Sequence, residues 1–188
     1  MRTDPGSRST VYRHRVRYFE ADQQGVVFNM WYLGYFDEAM TRFLEEGGLP
    51  YGRMLEAGFD VQLVRSEIDW RSSLRWPDDV IVEVGLEATG RTSFTLGFTV
   101  RRAEPPAGDA PVPGGDEVPG GEAVPKEEAV PGGDVVASGR GGDAVVTGRT
   151  VYVVVSADGS GKRPIPPELA AALGTPGGPG GPGGPGGA

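Results

Sequence analysis

The chain has 188 residues, with 38% hydrophobic residues, 32 glycines, 17 prolines, one histidine, no cysteine and a formal net charge of −8. The absence of cysteine excludes a disulfide framework, a thiolate metal site and a cysteine nucleophile. The acidity is local: the stretch 104–143 carries nine acidic and two basic residues, and the remainder is nearly neutral, so nothing here supplies the basic face that a nucleic-acid partner requires.

Gly and Pro concentrate in that stretch and in the tail 174–188. Without them about 130 residues remain, the size of one ordinary domain, and a single domain over 1–173 is expected, interrupted at 104–143. The first ten residues are polar, with no apolar signal core. No run approaches the roughly 18 apolar residues of a membrane helix. The reading is a soluble, cytoplasmic protein without a membrane partner.

Taken in chain order, residues 11–19 alternate, with Tyr12, His14, Val16 and Tyr18 on one side and Arg13, Arg15 and Arg17 on the other. A period of two predicts a strand with one wet face. The loop EADQQG follows at 20–25. Over 29–46 the period changes: Leu33, Phe36, Met40, Phe43 and Gly47 are spaced by three and four, predicting a long amphipathic helix that Gly47 and Gly48 stop. A short helix is expected at 51–57. Alternation then returns at Val64–Trp70, Val80–Leu86, Phe94–Val100 and about 145–156, with turn signals at Pro77-Asp78-Asp79 and Thr89-Gly90. Within 104–143, Val-Pro-Gly-Gly recurs at 112–115, 118–121 and 130–133. That composition cannot build a core and reads as a solvated loop. PIPPELAAAL at 164–173 predicts a short closing helix, with Pro near its start and Gly174 just past its end. The order, one strand, a long helix and four strands, is α+β. One antiparallel sheet of about five strands wrapped around one helix satisfies it.

That order, with the segment Tyr18-Phe19-Glu20-Ala21-Asp22-Gln23-Gln24-Gly25-Val26-Val27-Phe28-Asn29-Met30-Trp31-Tyr32 continuing to Asp37, resembles the hotdog fold and, more narrowly, the 4-hydroxybenzoyl-CoA thioesterase family. The carrying pattern is an aromatic strand end, Asp, two residues, Gly, two aliphatics, an aromatic, then a Tyr opening the helix. The resemblance implies an acyl-CoA thioesterase without cofactor or metal, assembled as a homodimer or homotetramer with each active site at a dimer interface. It implies Asp22 as the catalytic aspartate and the backbone N–H of Asn29 as the group polarising the thioester carbonyl. Gly25 belongs to the same motif. Many relatives carry His where Asn29 stands and Asn where Trp31 stands, so a side-chain role for that His is not carried over.

Thioester hydrolysis needs a group that attacks or activates water, a holder for the oxyanion, and a grip on CoA. Thiolate leaves readily, so one carboxylate suffices as nucleophile or general base; the sequence does not choose between the two. The first N–H groups of a helix lack internal partners and sit at its positive end, which suits Asn29 to an oxyanion. Asp22 also reads as a plain turn residue. Asp37, on the helix, is the second carboxylate; some hotdog thioesterases take theirs from this helix, although a solvated helix-face charge is the plainer account. Arg91, Thr92 and Ser93 stand where relatives hold CoA phosphates, and Arg offers bidentate contacts; an ordinary hairpin turn is the alternative. Tyr32 is expected to line the acyl pocket. His14 has no accompanying nucleophile motif and reads as a half-buried structural side chain. The competing function is a non-hydrolytic hotdog module that binds acyl-CoA or acyl-carrier-protein thioesters.

Overall fold

The computed structural model describes residues 9–103 and 142–174. All of the insert expected at 104–143 except its last two residues, and all of the tail beyond Gly174, lie outside the described residues, as do residues 1–8.

The elements are β1 (Ser9–Arg15), a 3-10 turn (Tyr18–Glu20), α1 (Asn29–Glu46), α2 (Tyr51–Glu56), β2 (Phe59–Trp70), β3 (Asp79–Thr89), β4 (Ser93–Arg102), β5 (Ala144–Ser156) and α3 (Pro167–Leu173). Every strand pair is antiparallel, in the order β1-β3-β4-β5-β2. The sheet wraps α1, so its α1 face is dry: Val80, Val82, Val84 and Leu86 of β3 and Phe94, Leu96, Phe98 and Val100 of β4 are all buried. This is the alternation the sequence shows, used on the inner face.

Helix and sheet meet at Phe36, whose ring stacks on Phe98 with centroids 4.4 Å apart and planes within 13°. Gly148 of β5, the register partner of Phe98, lies under the same ring, and a Cβ there would overlap Phe36. Glycine at 148 is therefore a packing requirement. The far end of α1 is closed by Gly47 N–H on the Phe43 carbonyl and Leu49 N–H on the Leu44 carbonyl, with Gly48 at φ +83°, a left-handed position that glycine takes without strain. α3 packs against α1, and its Leu169, Ala172 and Leu173 are buried.

Two expectations shift. The buried stripe of α1 is Tyr32, Tyr35, Phe36, Ala39, Met40, Phe43 and Leu44, whereas Leu33 is 38% exposed. Tyrosine rings supply apolar area and their hydroxyls find partners: Tyr32 Oη accepts Leu74 N–H at 3.4 Å and Tyr35 donates to Glu20 at 2.9 Å. β1 ends at Arg15, and although Val16 remains buried, Tyr18 turns outward to 79% exposure. The cause is the 3-10 turn, closed by Glu20 N–H on the Arg17 carbonyl at 3.0 Å, which breaks the period of two. No helix among the described residues is long and apolar enough to cross a membrane.

Candidate active site

Between the sheet and α1 the chain makes a small hairpin over residues 20–28. Phe28 N–H donates to the Glu20 carbonyl at 2.9 Å, Ala21 pairs with Val27, and Asp22 N–H donates to the Val26 carbonyl at 2.8 Å. Its tip is a turn in which Gly25 N–H returns to the Asp22 carbonyl at 2.9 Å, with Gly25 at φ +71°. The left-handed backbone calls for glycine at 25; space does not, since an added Cβ would meet only Arg75 Nη1 at 3.6 Å. Asp22 Oδ1 accepts Gln24 N–H at 2.8 Å, with Val26 N–H at 3.5 Å. One carboxylate oxygen is thus committed to the turn, an Asx arrangement, while Oδ2 makes no hydrogen bond among the described residues.

The root of the hairpin is anchored by Glu20, which is only 2% exposed. A single oxygen, Oε2, accepts Arg17 N–H at 2.7 Å, His14 Nε2–H at 2.9 Å and the Tyr35 hydroxyl at 2.9 Å. Because an ionised carboxylate only accepts, the His14 proton on this side lies on Nε2. Burial by itself pushes the Glu20 carboxyl up. The bonds from Arg17, His14 and Tyr35, with the charge of His14, outweigh it and hold the carboxyl below its ordinary value. Burial, then the neighbouring Glu20, pushes the Tyr35 phenol up, so it stays a donor. The His14 and Tyr35 rings also pack at 4.7 Å.

Asp22 lines an open cleft of about 760 Å³ with Tyr18, Phe19, Ala21, Gln23, Gly25 and Trp76. Tyr18 meets Trp76 edge-on at 5.9 Å, and Phe19 meets Trp31 at 5.4 Å. Trp76 rides on the segment 71–78, which is clamped from three sides: Val27 N–H to the Leu74 carbonyl at 2.9 Å, Val16 N–H to the Asp78 carbonyl at 2.9 Å, and Arg71 N–H to the Val145 carbonyl at 2.9 Å. Arg102 adds Nε to Asp78 Oδ2 at 2.9 Å. Arg75 Nη1 reaches the Gly25 carbonyl at 3.4 Å, which brings a guanidinium to the rim. Trp76 and Arg75 escape the sequence reading; the only signal nearby is the Pro77-Asp78-Asp79 turn. Among the described residues no group of three His, Asp or Glu side chains is placed to hold a metal ion.

The other expected site residues fall in different places. Asn29 is the first residue of α1, and neither its N–H nor that of Met30 has a hydrogen-bond partner among the described residues. Two donors without a partner therefore start the helix that the hairpin feeds. Tyr32 was expected in the acyl pocket; at 1% exposure, with its hydroxyl on Leu74, it belongs to the core. Asp37 opens onto a separate cavity of about 460 Å³ between α1, α2 and the start of β2, beside Met40, Thr41, Leu44, Tyr51 and Asp60. Desolvation raises its carboxyl above the ordinary value. Arg91 and Thr92 lie in the β3–β4 turn and Ser93 opens β4; the Thr92 carbonyl accepts Val154 N–H and the Arg91 carbonyl accepts Ile165 N–H, both at 2.9 Å. The cleft adjoins the Asp79 end of β3, and this turn lies beyond its Thr89 end. At about 3.3 Å per residue the separation is roughly 30 Å, so within one chain these residues and Asp22 are not one site.

A family profile described as the thioesterase-like superfamily matches residues 16–173. A protein of Aquifex aeolicus (strain VF5), named as a proposed esterase, is 36% identical over 90 residues, which are 48% of this chain and 70% of that protein. The crystal structure of a hypothetical protein from Aquifex aeolicus superposes with a TM-score of 0.63 at 25% identity, covering 87% of this chain and 98% of that one. A 4-hydroxybenzoyl-CoA thioesterase variant solved with 4-hydroxybenzoyl-CoA superposes at 0.62 with 19% identity, covering 88% and 99%. The sheet wrapped on one long helix is the hotdog fold, and the chain belongs to the thioesterase-like superfamily as a thioester hydrolase.

Proposed function

We propose that the protein hydrolyses the thioester of an acyl-CoA to the free acid and CoA, with Asp22 as the reacting carboxylate. The observation that carries this reading is the division of labour within Asp22. Oδ1 is held by the turn, while Oδ2 is unengaged, in an aromatic-walled cleft. Asp22 either attacks the thioester carbonyl or takes a proton from the attacking water. The N–H of Asn29, unpaired at the positive end of α1, supports a place for the carbonyl oxygen as it gains charge. Tyr18, Phe19 and Trp76 offer flat apolar walls suited to an acyl group or to adenine. Gly25 gives the turn that aims Asp22.

Arg91, Thr92 and Ser93 fit a CoA-phosphate role only if a second copy of the chain brings its own turn to the cleft, so the reading includes a homodimer or homotetramer. Asp37, in its separate cavity, is the alternative carboxylate.

The test is thiol release from a panel of aryl-, short- and long-chain acyl-CoAs by wild type and Asp22→Asn. Asparagine keeps an Oδ1 acceptor for Gln24 N–H, so the turn survives. A loss of about a hundredfold or more in kcat is expected. Full activity in the variant overturns Asp22 and moves the role to Asp37.

A further inference from the structure

Glu20 is the one carboxylate among the described residues that is buried, and the chemistry proposed above does not use it. Its surroundings are expensive to build. A buried carboxylate needs partners, and here the partners come from separate elements: His14 from β1, Arg17 N–H from the approach to the turn, and Tyr35 from the second turn of α1. Its own backbone carbonyl accepts the N–H of Phe28, the residue before Asn29. Side chain and main chain of this one residue therefore tie together the sheet, the root of the hairpin and the start of the helix. Well-packed apolar residues often serve stability as well as a buried ionic cluster, so stability alone does not account for a carboxylate here.

We propose that Glu20 is the positioning residue of the site: by gathering His14, Arg17 N–H and Tyr35 on one oxygen and Phe28 N–H on its carbonyl, it sets Asp22 against the free N–H groups of α1. The inference rests on the proposed role of Asp22. A reacting group displaced by about 1 Å can lose on the order of a hundredfold in rate, so loosening this anchor acts on turnover before it acts on binding.

The experiment compares wild type, Glu20→Gln and Tyr35→Phe in the full chain. It measures kcat and KM for whichever acyl-CoA wild type hydrolyses, and amide hydrogen exchange at Asp22, Gly25 and Phe28. Glu20→Gln is expected to lower kcat about tenfold or more with KM within about threefold, and to speed exchange at those amides. Tyr35→Phe removes one donor without changing shape and is expected to do the same more weakly, about threefold in kcat; it decides the question if Glu20→Gln does not fold. Unchanged kcat in folded Glu20→Gln, with unchanged exchange across the hairpin, overturns the proposal even if its melting temperature falls. Should wild type hydrolyse no acyl-CoA, the reading of the function fails, and the exchange data still decide whether Glu20 orders the hairpin.

Discussion

The seam where α1 crosses the sheet and the hairpin at 20–28 are neighbours in the chain and are held by different forces. The seam is dry and closed by shape: Phe36 lies between Phe98 and the bare backbone of Gly148. The hairpin is exposed at its tip, buried at Glu20 and Val27, and closed by hydrogen bonds involving Glu20, Asp22 and Gly25. A close-packed interior resists any change of volume, whereas a surface loop carries little of the core and is free to carry chemistry. Damage to the seam should therefore appear as lost stability in a protein whose folded fraction still works. Damage to the hairpin should appear as lost activity in a protein that remains folded.

The sharpest contrast comes from Asp22→Asn, which is expected to cost about a hundredfold or more in kcat while the urea midpoint stays within experimental error. Gly148→Ala is the converse. Its methyl group would overlap the Phe36 ring, which Phe98 backs, and overpacking of this kind costs about 1–3 kcal/mol. Urea unfolding should show that loss, with kcat per folded molecule unchanged; a drop in kcat would mean that the seam also positions the site. Trp76→Ala removes a cleft wall while leaving the backbone clamps of 71–78 in place. A several-fold rise in KM with little change in kcat is expected, since the lost contact serves ground and transition states alike.

The smallest effect concerns acid. The folded-state pKa of Glu20 lies below its ordinary value of 4.5, so the native state binds this proton less readily than the unfolded chain. The stability Glu20 contributes is complete above that ordinary value and drains away as pH falls through the lower, folded one. Urea midpoints measured from about pH 6 down to about pH 3 should fall less steeply for Glu20→Gln than for wild type. Parallel curves would show that the Glu20 cluster carries no net charge preference in the fold.

Much of the fold is legible from periodicity because burial is decided residue by residue along regular elements. Val80–Leu86 and Phe94–Val100 alternate because one face meets α1, and α1 runs over 29–46 as its spacing predicts. Of the expected stripe of α1, Phe36, Met40 and Phe43 are buried and Leu33 is not, and the buried stripe also takes in Tyr32 and Tyr35. Their hydroxyls find partners in Leu74 and Glu20, far off in the chain or hidden in a loop. Asp22 is legible because its motif is local, seven residues from the helix start. Trp76 and Arg75 are not, because they reach the hairpin only through segment 71–78, which is bonded to Val16 just past β1, to Val27 of the hairpin, to Tyr32 of α1 and to Val145 of β5.

Local pattern alone thus settled the element order, the inward faces of β3 and β4, the position of α1 and the turn that carries Asp22. Each of these depends on neighbours within a few residues, where steric preference and hydrophobic period act directly. Tertiary structure decided that Tyr32 is core, that Tyr18 faces solvent, that Asp37 opens on a different cavity, and that Arg91–Ser93 lie at the other end of β3 from Asp22. It also decided that Glu20 is buried. No local pattern marks that carboxylate, because the groups that make its burial tolerable, His14 and Tyr35, come together on it only after strand, turn and helix have packed.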